Sequence, residues 1–173
     1  MVYVLPLVLA EAQNRLLWKK SICGSMNPGK SMRVNRFVLD ANIWVSYLIT
    51  GSEQKLIDII ADNDLIIFRC EELMTEIARV LNYPRLKKYN IDIPYAIRIV
   101  KKATAPYELT YPIRRYIPTD KDDDYLVALA LQTSSGFITS GDRNILSEKT
   151  NLQKKFKKLK ILTKTEFEDK FLK

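Results

Sequence analysis

The sequence predicts a single α/β domain with a mostly parallel central sheet flanked by helices. Two observations predict it. From Phe37 onward short apolar runs alternate with amphipathic stretches, the pattern of strands joined by crossover helices. At 173 residues, 47% of them apolar, the chain can bury one sizeable core but is short for two ordinary domains.

The elements follow in order. FVLD, ending at Asp40, is the first strand, and Ile43 to about Asp62 is helical with a break at Thr50 and Gly51. LIIF, residues 65 to 68, is the second strand. Leu73, Ile77, Val80 and Leu81 then fall at helical spacing until Pro84 closes that helix. Pro94 suits the first turn of the next helix, and Tyr107 to Ile117, with two prolines, reads as irregular or edge-strand chain. DYLVALALQ is apolar almost all round, as a buried helix should be. GFITS is a short strand, GDRNIL opens a helix or turn, and LKILT is the last strand. Thr165, with Glu168 three residues on, is the expected capping box of the closing helix.

Residues 1–31 read as an appendage to a domain spanning 32–173. VLPLVLA is followed, not preceded, by Arg15, Lys19 and Lys20, the reverse of a secretory signal. Met26 and Met32 both precede the first strand, so a start site assigned too far upstream and a short partner-binding helix are the two readings of it. No apolar run reaches the roughly 18 residues that cross a bilayer, so a soluble protein without membrane contact is expected.

Composition narrows the chemistry. Histidine is absent, which removes Ser-His-Asp and Cys-His machinery and histidine-ligated zinc. Cys23 and Cys70 stand far apart without CxxC spacing, so neither a disulfide framework nor a thiolate metal site is indicated and a reducing cytoplasm fits. A formal charge of +8 favours a polyanionic partner through counterion release, although many small proteins are basic.

The acids carry the argument further. In open parallel sheets the carboxyl ends of strands line the ligand crevice; Asp40 ends one strand and Asp142 follows another. Either could instead simply cap the helix after it. Glu76 borders the apolar stripe of its helix and faces the protein body, or pairs with Arg79 one turn on for about 0.2–0.5 kcal/mol. In TDKDDDYLVALA, Asp120, Asp122, Asp123 and Asp124 crowd one helix start. Helix dipole and capping offset about 1 kcal/mol for an acid there, enough for one or two of the four. A hard divalent cation, which takes oxygen ligands, would offset the remaining repulsion.

Five segments in order, VLDANIWVSYL, EELMTEIARVL, DKDDDYLVALA, ITSGDRNIL and ILTKTEFEDKF, resemble PIN domains, particularly the toxin–antitoxin ribonucleases (VapC-like toxins). The likeness runs from Phe37 to Phe167. It implies a three-layer α/β/α domain with Asp40, Glu76, Asp123 and Asp142 as a catalytic, metal-holding quartet. Asn42, Asp120 and Ser140 support that quartet in the resemblance, and Asp123 is selected because it precedes Ala130 by the family's spacing of seven. Lys121 replaces a proline common beside Asp120, and Asn144 stands where many relatives carry another acid.

The implied activity is RNA hydrolysis to a 5′-phosphate and a 3′-hydroxyl with magnesium or manganese. The cation's part is to acidify water and compensate charge on the leaving oxygen. Glu76 either ligates or orients the attacking water. The resemblance further implies a small antitoxin across the acidic pocket and a homodimer. An idle PIN-like module that binds RNA or protein is the alternative, with Asn144 as its hint; a phosphoaspartate domain of the response-regulator kind is a weaker one, since the acidic crowd lies on a helix start. Basic clusters at Arg85, Lys87 and Lys88, at Arg114 and Arg115, and from Lys154 to Lys160 either contact RNA or form a solvated face. Tyr83, Tyr89 and Tyr116 beside them either stack on bases or pack.

Overall fold

The computed structural model describes residues 35–172; the expectations for residues 1–31 lie outside them. Strand β1 (Arg36–Leu39) leads into α1 (Ala41–Ile49) and α2 (Glu53–Asp62), then β2 (Ile66–Arg69) and α3 (Glu71–Leu81). A 3-10 turn (Pro84–Tyr89), α4 (Ile93–Ala103) and the two-residue β3 (Ala105–Pro106) follow. The chain then runs through α5 (Asp124–Gln132), β4 (Phe137–Thr139), α6 (Arg143–Ser147), α7 (Lys149–Lys155), β5 (Lys160–Leu162) and α8 (Lys164–Phe171).

All five strands are parallel, in the order β3-β2-β1-β4-β5, and the sheet sits between helices in the expected three-layer arrangement. The order decides where a ligand can sit. From β1 the chain moves outward to β2 and β3, then returns across β1 to β4 and β5. The switch point therefore lies between β1 and β4, where crevices open at the carboxyl ends of strands. Val38 is in register with Phe68 on one side and Ile138 on the other, so β1 is the central strand, and Phe37, Val38 and Leu39 have no exposed surface.

Local chemistry explains the boundaries. Gly51 adopts φ +62 at the break between α1 and α2, a left-handed turn that a side chain would strain. Asp92 caps α4 by accepting from the Tyr95 N–H at 2.9 Å, with Pro94 in the first turn, where no N–H is missed. Helix α5 is buried from Asp124 to Ala130 and packs across β1, β2 and β4, which accounts for its apolar character all round. Phe37 stacks on Phe137 at 4.4 Å and meets Phe167 and Phe171 edge-on, tying α8 to the sheet.

Three expectations shift. The second strand runs one residue later than LIIF, from Ile66 to Arg69. An edge strand appears at Ala105–Pro106, too short for a periodicity to reveal; Pro106 fits there because an edge leaves a missing N–H without consequence. The closing helix is capped by Thr163, not Thr165: Thr163 accepts from the Glu166 N–H at 3.2 Å while Glu166 accepts from the Thr163 N–H at 2.7 Å. Glu168 is drawn off by tertiary partners, Tyr47 Oη at 2.6 Å and Lys55 Nζ at 2.7 Å.

Candidate active site

Asp40 lies at the switch point because β1 ends beside β4: its N–H donates to the Thr139 carbonyl at 3.0 Å. Its carboxylate is 3% exposed and takes three donors, the Asn42 N–H at 3.4 Å, Asn42 Nδ2 at 2.7 Å and the Ser140 hydroxyl. Ser140 in turn accepts from the Asp142 N–H at 2.9 Å. Asn42 Oδ1 accepts from the Gly141 N–H at 3.0 Å, and a Cβ on Gly141 would come within 3.4 Å of that oxygen. A glycine permits the two loops to approach this closely. Asp40, Asn42, Ser140, Gly141 and Asp142 thus form one network across the β1 and β4 ends.

Asp40 and Asp142 are also helix caps, Asp142 Oδ1 accepting from the Asn144 N–H at 2.7 Å at the start of α6. Capping and lining the crevice are compatible roles for one carboxylate, because the cap directs it back over the strand end.

Glu76 reaches the same place from α3. Its Oε2 accepts from the buried Tyr125 hydroxyl, while Oε1 has the half-exposed Arg79 at 3.8 Å. The intrahelical pair therefore exists, but beside a tertiary bond to α5. The four acids that crowd the start of α5 separate into distinct tasks. Asp124 turns inward, 6% exposed, and accepts from the Tyr116 and Ile117 N–H groups at 2.8 and 2.7 Å, with Arg115 at 3.6 Å. Asp120 accepts from the Asp122 N–H at 2.9 Å and from Asn144 Nδ2 at 3.3 Å, and Asp122 is exposed. Asp123 is left half-buried toward the other acids.

These carboxylates act on one another. Burial, then the charges of Asp40, Asp142, Asp120 and Glu76, push the Asp123 carboxyl up to about 7. Asp40 is pushed up to about 6 by burial, against its bond from Ser140, with Glu76 and Asp142 adding to the rise. Among the described residues neither Asp40 nor Asp123 has an ion-pair partner. Burial and the neighbouring Glu76 also hold the Tyr125 hydroxyl protonated, as a donor. The structure thus gathers Asp40, Glu76, Asp123 and Asp142, with Asn42, Asp120 and Ser140 around them.

An all-oxygen set with unbalanced negative charge fits a hard divalent cation. Among the described residues no three acids stand close enough to enclose an ion directly. Tyr125 and Gly141 were not singled out by the sequence reading. A tyrosine inside an otherwise aliphatic helix was the available signal for the first, since a buried hydroxyl requires a partner.

Fold and site define an α/β domain whose acids converge at the switch point of a parallel sheet. The chain belongs to the PIN domain family, whose model matches residues 36–144, and PIN domains are generally nucleases. It is also similar to an uncharacterized protein of Methanocaldococcus jannaschii, 25% identical over 142 residues that cover 79% of this chain and 91% of that protein. No helix among the described residues is long and apolar enough to cross a membrane.

Proposed function

We propose that the chain is a magnesium- or manganese-dependent endoribonuclease, and that the observation carrying this is the convergence of four carboxylates from four segments, three of which have no ion-pair partner among the described residues. Asp40, Asp123 and Asp142 would hold the ion directly or through its bound waters, and Glu76 either joins them or orients water. The ion would supply acidity to that water and charge compensation at the phosphate. The chain's own residues supply rigidity. Ser140 and Asn42 fix Asp40, and Tyr125 holds Glu76 by one oxygen, so that Oε1, with Arg79 at 3.8 Å, would be the one to accept from a water. Cleavage would leave a 5′-phosphate and a 3′-hydroxyl.

The subgroup resemblance supports a finer reading: the toxin of a toxin–antitoxin pair, cytoplasmic, homodimeric, and restrained by a small antitoxin. Asn144 favours a second reading, an idle module that binds RNA or protein, because it meets Asp120 with an amide where relatives offer an acid.

Cleavage of a mixed RNA pool by the full chain, with magnesium or manganese and with EDTA, separates these readings. Metal-dependent cutting that is lost in Asp40→Asn and Asp123→Asn, at unchanged folding, is the expected result. Equal residual cutting in the variants indicates a contaminant, and RNA binding without cutting favours the idle module.

A further inference from the structure

The loop that follows Arg114 and Arg115 meets the start of the Lys154–Lys160 cluster through Tyr116 and ends at the acid cluster. At one end Asp120, whose charge acts on Asp123, accepts from Asn144 of α6 at 3.3 Å. At the other end the Tyr116 ring meets Phe156, just past α7, edge-on at 5.9 Å. Lys155 Nζ sits 6.0 Å from the Tyr116 ring centre and 5.5 Å from that of Phe156. The segment from Tyr116 to Asp120 is thus laid along α6 and α7. Asp124 anchors it from below by holding the Tyr116 and Ile117 N–H groups.

This arrangement sets exposed cations beside an aromatic pair. Arg114, Lys154, Lys155, Lys157 and Lys158 are exposed, and among the described residues none of them has an ion-pair partner. Lys149 and Arg115, by contrast, are committed to Glu166 and Asp124. Unpaired cations suit phosphates, and a partly exposed ring suits an unstacked base. The third cluster, Arg85, Lys87 and Lys88, lies beyond the far end of α3, about 16 Å of helix from the carboxyl end of β2.

We propose that Arg114, Tyr116, Lys154 and Lys155 form a track that binds single-stranded RNA and leads it to the acid cluster. The proposal rests on the nuclease reading for its purpose but not for its measurement. Cations along the loop and α7 neutralise successive phosphates, and Tyr116, braced by Phe156, stacks on one base. Single strands are favoured over duplexes because stacking needs a base free of its partner.

The test is fluorescence anisotropy of the full chain with a labelled oligouridine of about twelve nucleotides in EDTA, across a salt series. Triple replacement of Arg114, Lys154 and Lys155 by alanine should weaken binding roughly tenfold or more and lower the salt slope by about 2, given about 0.7 per phosphate contact on single strands. Replacement of Lys87 and Lys88 by alanine should leave both nearly unchanged. Tyr116→Leu should weaken binding about fivefold or more with the slope retained, as loss of stacking without loss of charge. Equal effects from both lysine sets, no effect from the triple variant, absence of RNA binding, or preference for duplex would each overturn the track. Binding through these residues in a protein that never cuts RNA would sink the nuclease reading and leave the track standing. Cutting with a KM indifferent to the triple variant would do the opposite.

Discussion

Asp123 is where the cost of the site concentrates. Burial and four neighbouring acids raise its carboxyl to about 7, so the fold favours its protonated form. A group raised above its unfolded value contributes stability that is fully present below that value, near 3.8, and is lost as pH climbs through about 7. Metal-free protein should therefore lose stability from pH 5 to pH 8, and Asp123→Asn should be the more stable form at pH 8, by roughly 1–3 kcal/mol. Urea unfolding of both proteins in EDTA at the two pH values checks this; a variant less stable at pH 8 would refute the proposed repulsion. Tyr125 makes a separate expectation. Tyr125→Phe removes one hydrogen bond to Glu76 and little volume, so folding should persist while manganese affinity, followed by calorimetric titration, falls severalfold. Unchanged affinity and unchanged cleavage would reduce Tyr125 to a packing residue.

Among the elements, α8 shows how neighbouring candidates for one role are separated. Thr163 and Thr165 both stand three residues before an acid, and only Thr163 has the extended backbone, ψ 168, of a residue outside the helix. Its capping box satisfies two helix-end donors. Thr163→Ala should cost about 1 kcal/mol, whereas Thr165→Ala, inside the first turn and exposed, should cost far less. Thermal unfolding of the two variants distinguishes them, and equal losses would contradict the assignment. Helix α5 presents the same problem with four acids. There the partition was made by the segment before it, whose Tyr116 and Ile117 N–H groups require an acceptor and draw Asp124 inward.

For the whole molecule, function follows from strand order. Asp40 and Asp142 are 102 positions apart, yet β1 and β4 are neighbours, and Phe37, Val38 and Leu39 pair with Phe137, Ile138 and Thr139. Glu76 comes from the far side of β1 on α3, and Asp123 from the helix packed across the centre of the sheet. Each acid is held by an element whose other face is core, so the repulsion among them is opposed by packing far larger than any one bond. On the proposed function, a net charge of +8 would favour a polyanion, while the acids at the switch point would repel its phosphates unless a cation were bound.

The sequence alone determined the number and type of most elements and the acids to consider, because hydrophobic period, prolines and strand-end residues are local signals. The break at Thr50 and Gly51, the cap-side proline of α4 and the buried α5 were all legible in this way. Local signals could not separate Thr163 from Thr165, nor reveal β3, a pairing of two residues whose only warrant is the neighbouring strand. The choice of Asp123 over Asp124 came from a family spacing; that backbone donors claim Asp124 and leave Asp123 beside the other acids is visible only in the fold. Only the tertiary structure decided that Tyr125 holds Glu76, that Gly141 closes on Asn42, and that Tyr116 meets Lys155 and Phe156. These are contacts between residues distant in the chain, and their partners are chosen by packing that no single segment specifies.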